Sequence, residues 1–160
     1  MTARWVLVDG YSVLHAWPAF QTRRQRARGF VQKRDELIGV LARYADHTGD
    51  KLTIVFDGYA ARHQPETAPV LWQGIEVLYS EAGRTADDVI ERLVSLLTPR
   101  YRVIVITDDH AERRTVESLG ADAYSCEWFA DEVARTLHDL DRTLRHQQRQ
   151  PRRTRLGDVW

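Results

Sequence analysis

The chain has 160 residues, 43% hydrophobic and 29% charged, with 23 basic side chains against 23 acidic ones. That length suits one domain able to bury its own core, and no apolar stretch reaches the roughly 20 residues of a membrane span. The single cysteine, Cys126, excludes an internal disulfide framework and a Cys-rich zinc site.

Met1-Thr2-Ala3-Arg4 leads straight into an apolar segment with no signal-peptide core, so the expected location is cytoplasmic. Trp5-Val6-Leu7-Val8 is a continuous apolar run ending in Asp9-Gly10, the mark of a buried strand. Between Lys33 and His47 the apolar residues Leu37, Ile38, Leu41, Tyr44 and Ala45 fall on one helix face, stopped by Thr48-Gly49-Asp50. Leu52 to Phe56 is a second strand, ending in Asp57-Gly58. The stretch from Gly58 to Gly74, with Pro65 and Pro69, has no clear period and reads as a long loop. Ile75 to Tyr79 is a third strand, and Ala86 to Leu97 a helix with Val89, Ile90, Leu93 and Leu97 inward. Val103 to Ile106 is a fourth strand, running into Thr107-Asp108-Asp109. A short helix from His110 to Leu119, a strand from Asp122 to Ser125 and a last helix from about Trp128 follow.

This alternation of apolar strands and helices predicts an α/β fold, a mostly parallel sheet of about five strands covered on both faces. Residues 1–146 form the expected domain, and the polar, Arg-rich residues 147–160 the expected basic tail.

The balanced charge is segregated. Residues 21–34 carry Arg23, Arg24, Arg26, Arg28, Lys33 and Arg34 with no acid, and residues 142–160 carry six arginines against Asp158. Two basic patches around an acidic body suit a polyanion binder.

Three strands end in acid, at Asp9, Asp57 and Asp108-Asp109, and a further acidic pair, Asp87-Asp88, opens a helix. The C-terminal ends of parallel strands share one sheet edge, where ligands bind, so these acids should converge, with Glu91 one turn beyond Asp87. Singly, each has a structural use in an Asp-Gly turn or a helix first turn. Together they repel, by about 4 kcal/mol for a pair about 4 Å apart at an effective dielectric of 20. A hard divalent cation, Mg²⁺ or Mn²⁺, cancels that repulsion and suits phosphodiester hydrolysis. Glycine-rich dinucleotide and triphosphate loops are absent, as is a G-x-S-x-G elbow. His15, His63 and His110 follow strand ends but lack zinc-ligand spacing.

Asp9-Gly10-Tyr11-Ser12-Val13-Leu14-His15 resembles the D-G-Y-N-V-I opening of the YacP-type NYN nucleases, a branch of the PIN-like superfamily. The likeness continues through Val55-Phe56-Asp57-Gly58 and Val77-Leu78-Tyr79-Ser80, then Thr85-Ala86-Asp87-Asp88-Val89-Ile90-Glu91. It resumes at Val105-Ile106-Thr107-Asp108-Asp109 and Leu119-Gly120-Ala121. The resemblance implies a PIN-like, Rossmann-like three-layer sandwich and a metal-dependent endoribonuclease of bacterial RNA processing or decay, in some members associated with the ribosome. It places Asp9, Asp57, Asp87 and Asp109 as catalytic and metal-binding acids. Asp88, Glu91 and Asp108 stand behind them, with Ser12 and Thr107 orienting. Ser12 replaces the family Asn, which predicts an altered or slower site.

On this reading RNA is gripped by Arg23, Arg24, Arg26, Arg28, Arg62 and Arg84, while Trp17 and Tyr59 either stack on unpaired bases or pack as a lid. The rival readings are a PIN-like module that binds RNA, ribosome or protein without cleaving, and a small phosphohydrolase acting on a nucleotide. Oligomeric state is not legible.

Overall fold

Strand β1 (Arg4–Asp9) is the centre of the molecule because its apolar run can be buried on both sides. The computed structural model describes residues 3–58 and 70–149. In chain order, β1 is followed by helix α1 (Gly10–Ala16), a 3-10 turn (Pro18–Phe20), the short helix α2 (Arg23–Arg26) and helix α3 (Phe30–Thr48). Next come β2 (Lys51–Phe56), β3 (Val70–Trp72), β4 (Ile75–Tyr79) and α4 (Ala86–Leu97). The chain continues with β5 (Arg102–Ile106), α5 (His110–Ser118), β6 (Asp122–Tyr124) and α6 (Cys126–Arg149).

The sheet order is β3-β4-β2-β1-β5-β6. Five strands are parallel, and only β3 runs antiparallel, against β4. This is the α/β sandwich expected, with one edge strand added. β3 occupies the end of the stretch read as loop, and too few apolar residues recur there to show a period.

Side chains alternate across the sheet as strand geometry demands. Val6, Val8, Ile54, Phe56, Ile104 and Ile106 pack on one face against α1, α3 and α6. Leu7, Val55, Val103 and Val105 pack on the other, against Ile90 and Val94 of α4 and Val116 of α5. The α3 stripe predicted from its period (Leu37, Ile38, Leu41, Tyr44, Ala45) is buried throughout. Its end is fixed by Gly49 at φ 75°, whose N–H donates to the Ala45 carbonyl at 2.9 Å.

Two readings change here. Asp9-Gly10 is the start of α1 rather than a turn, because the Asp9 carboxylate caps the helix by accepting the Ser12 N–H. Trp17 is core rather than a base-stacking surface: it is buried, packs near Phe20 and Phe129, and its indole N–H donates to the Cys126 carbonyl at 2.9 Å. Tyr59, Arg62, His63 and residues 150–160 lie outside the described residues. Among the described residues no helix is long and apolar enough to cross a membrane.

Candidate active site

The acids do meet at the C-terminal edge of the sheet. Asp9 closes β1, Asp57 follows β2, Asp108 and Asp109 follow β5, and Asp87 lies in the first turn of α4. A cleft of about 800 Å³ opens there, lined by Asp9, Ser12, Asp57, Asp87 and Asp108, with Tyr11 and His15 stacked on one wall. Asp109 is not part of that lining, yet its charge acts on both Asp9 and Asp87.

Asp9 is the most buried of the four aspartates. Ser12 holds it twice: Ser12 Oγ donates to Oδ2 at 2.8 Å and the Ser12 N–H to Oδ1 at 3.3 Å. A serine thus does the orienting work expected of an asparagine. Burial raises the Asp9 carboxyl above its ordinary range and the Asp109 charge adds to that, while the Ser12 bonds oppose it.

Asp57 is placed by its neighbours. The Gly58 N–H donates to Ser80 Oγ at 2.6 Å, and Ser80 Oγ donates to the Arg84 carbonyl at 2.9 Å. Ser80, fully buried at the end of β4, thereby ties the Asp57 loop to the loop leading into α4. A Cβ on Gly58 would lie 2.2 Å from the Ser80 carbonyl oxygen, so only glycine fits. Ser80 was not singled out from sequence, although it lies in the Val77–Ser80 block.

Asp87 is pushed up to about 6, first by burial, then by Asp9, Asp109, Glu91 and Asp88. A carboxyl whose folded value lies above its ordinary 3.8 destabilises the fold when charged. In the metal-free protein this contribution to stability is present below about pH 4 and lost as the pH rises through about 6. Asp87→Asn should therefore melt above the parent at pH 7 in EDTA, with the gap closing toward pH 4. A gap independent of pH would remove Asp87 from the crowded cluster.

Other residues take structural parts. Asp109 caps α5, its Oδ1 accepting the Ala111 N–H at 2.9 Å and the Glu112 N–H at 3.2 Å. Thr107, fully buried, accepts the Asp109 N–H through Oγ1 at 3.2 Å and so fixes that cap. Asp108 accepts the Cys126 N–H at 2.8 Å, anchoring the start of α6. Asp88 forms a capping box with Thr85, with bonds of 3.1 and 3.2 Å, and does not line the cleft. Glu91 is half-buried and pairs with Glu112 of α5, a residue not singled out from sequence.

Of the proposed RNA-gripping arginines, Arg23, Arg24, Arg26 and Arg84 are exposed and form no ion pair among the described residues. Arg28 is different, because its guanidinium already pairs with Glu36 and donates to Gln25 at 3.1 Å. Arg34, part of the same basic run, is buried and donates to the Tyr79 hydroxyl at 2.9 Å. It is a core cation and adds nothing to an outer patch.

The donor chemistry fits a hard divalent ion, since the converging groups are carboxylate and hydroxyl oxygens. Among the described residues no three His, Cys, Asp or Glu side chains form a ready-made metal cage. Such an open oxygen set suits Mg²⁺ or Mn²⁺ better than Zn²⁺. Mg²⁺ keeps several waters and takes one or two carboxylates directly, whereas structural Zn²⁺ wants a closed tetrahedron rich in His and Cys.

Comparison with known proteins agrees with the fold and the motifs. The model of the YacP-like NYN domain matches residues 6–160. The uncharacterized protein YacP of Bacillus subtilis (strain 168) is 30% identical over 141 residues, covering 88% of this chain and 81% of the relative. A crystal structure of a mutant of Rae1 (YacP) from Bacillus subtilis superposes with TM-score 0.76 at 29% identity, over 92% of this chain and 84% of that one. A second crystal structure of Rae1 (YacP) gives TM-score 0.74 at 29% identity, covering 91% of this chain and 81% of that one. This chain belongs to the YacP-like NYN domain family, a nuclease family.

Proposed function

We propose that the protein is a Mg²⁺- or Mn²⁺-dependent endoribonuclease that cleaves single-stranded RNA in bacterial RNA processing or decay. The observation that carries this reading is the convergence of Asp9, Asp57, Asp87 and Asp109 at one sheet edge, where burial raises both Asp9 and Asp87 and the Asp109 charge adds to each. A fold gains nothing from such repulsion unless a cation relieves it.

Asp9, Asp87 and Asp109 would hold the ion, with Asp57 completing the set. When bound, a divalent ion supplies an activated water and stabilises the departing oxygen of the phosphodiester. The protein's own part is orientation. Ser12 fixes both oxygens of Asp9, Thr107 fixes Asp109 through its backbone, and Ser80 locks the Asp57 loop to that of Asp87. Exposed Arg84 directly precedes Thr85, which lines the cleft, and would meet the backbone of a bound strand.

Incubating the protein with an unstructured RNA, in Mg²⁺, in Mn²⁺ and in EDTA, tests the proposal against an Asp9→Asn control. Internal cleavage should appear only with metal and fail in the control. Metal-independent cleavage, or binding without cleavage in either ion, would contradict it; the second result would leave an RNA-binding module.

RNA affinity supplies a separate prediction. If α2 contacts phosphates, Arg23→Ala with Arg24→Ala should lower the salt slope of binding by about one unit per lost contact. An unchanged slope would make α2 a merely solvated surface.

A further inference from the structure

Between α4 and α5 lies a carboxyl pair that the four aspartates do not account for. Glu112 sits in the first turn of α5 and is 3% exposed. Its Oε1 is the one buried side-chain polar atom without a hydrogen-bond partner among the described residues. Buried unpartnered oxygens are rare in folded proteins, and an ion or a water usually explains them.

Helix capping does not explain Glu112. Glutamate three residues after an N-cap commonly reaches back to the cap's own N–H. Here that N–H, of Asp109, is already donated to Thr107 Oγ1 at 3.2 Å. Released from capping, the Glu112 carboxyl is buried and comes within hydrogen-bonding reach of Glu91 on α4. No Lys or Arg forms an ion pair with either glutamate among the described residues. Arg113, next in sequence, instead donates from Nε to the Thr107 carbonyl at 3.1 Å.

The surroundings add only negative charge. Asp87, Glu91 and Asp109 all act on Glu112, and with burial as the larger cause they push it up to about 9. Two carboxyls in mutual reach need either a shared proton or a cation between them. The orphaned Oε1 separates these cases, because a proton shared with Glu91 leaves an oxygen unsatisfied whereas a cation has use for several.

We propose that Glu112, with Glu91 beside it, binds a divalent cation between α4 and α5, behind the aspartates that gather at the strand ends. The inference rests on the reading of the cleft as a divalent-metal site and adds two ligands to it. All the donors are carboxylate oxygens, so the ion is of the Mg²⁺, Mn²⁺ or Ca²⁺ class. Mg²⁺ sheds its water reluctantly, and a position this buried therefore favours Mn²⁺.

Mn²⁺ titration of the full chain, reading free ion by electron paramagnetic resonance alongside melting temperature, tests the proposal. Four proteins are compared: the parent, Asp9→Asn, Glu112→Gln and Glu91→Gln. Glutamine keeps the volume and can donate to the facing carboxylate, so metal-free Glu112→Gln should melt no lower than the parent. It should nevertheless bind one Mn²⁺ fewer, or bind about tenfold or more weakly, and gain less in melting temperature from the ion. Parent-like stoichiometry and affinity in Glu112→Gln, with binding weakened in Asp9→Asn, would overturn the role of Glu112 and leave the metal cleft standing. No Mn²⁺ binding by the parent would overturn both. Should Glu112→Gln fail to fold, Glu91→Gln decides by the same two results.

Discussion

Asp109→Asn should lower RNA cleavage by several orders of magnitude while leaving the metal-free protein as stable as the parent or more so. The prediction separates two jobs that one side chain performs. As a helix cap, Asp109 accepts two N–H groups through Oδ1, and asparagine is an equally good cap. As a charge, it raises both Asp9 and Asp87, and the amide removes that repulsion. If Asp109 holds the ion as proposed, the mutant also loses an anionic ligand, and added Mg²⁺ should raise its melting temperature less than the parent's. If capping were the whole role, cleavage would survive and the two proteins would respond to metal alike. Melts in EDTA and in Mg²⁺, beside a cleavage assay, distinguish the cases.

Gly10→Ala should be strongly destabilising for the sake of a single methyl. A Cβ at Gly10 would stand 2.2, 2.6 and 2.8 Å from three ring atoms of Phe56. Phe56 cannot yield. It is fully buried, with Phe30 edge-on at 5.2 Å and Tyr79 stacked at 5.7 Å between ring centroids. Overpacking costs about 1–3 kcal/mol or more, and a buried ring met by three sub-contact distances belongs at the upper end. For a chain of this size that is a fall in Tm of roughly 6–12 °C. Activity should fall with it, because Gly10 opens the helix that Asp9 caps. Gly39→Ala is the control. It lies mid-helix in α3 with its nearest outside atom at 4.0 Å, so the same methyl should stabilise by roughly 0.5–1 kcal/mol. Matching losses at both positions would show that the Phe56 contact is not the cause.

What was legible in the sequence followed from period and from strand ends. Continuous apolar runs such as Trp5–Val8 and Val103–Ile106 mark strands buried on both faces, and parallel pairing then brings their terminal acids to one edge. The α3 stripe was legible for the same reason, since five residues at helical spacing have no other common face. What was not legible depends on partners distant in sequence. Asp108 anchors the start of α6 through Cys126, eighteen residues on, and nothing local distinguishes it from Asp109. Trp17 reads as an aromatic beside the sheet edge until Phe129 and the Cys126 carbonyl, more than a hundred residues away, enclose it. Arg34 looks like one more cation of a basic run, yet the Tyr79 hydroxyl draws it into the core. Glu112 reads as an ordinary first-turn acid, and only the competing bond from Asp109 to Thr107 frees it to turn inward. Local pattern thus located the edge, and tertiary contacts decided which side chains remain available there.

The most direct measurement is anomalous diffraction at the manganese edge from crystals of the full chain equilibrated with Mn²⁺. A peak is expected at the sheet edge beside the carboxylates of Asp9, Asp87 and Asp109, lost in Asp9→Asn. Saturating Mn²⁺ that leaves the cleft without a peak, in a protein that still cleaves RNA, would contradict it.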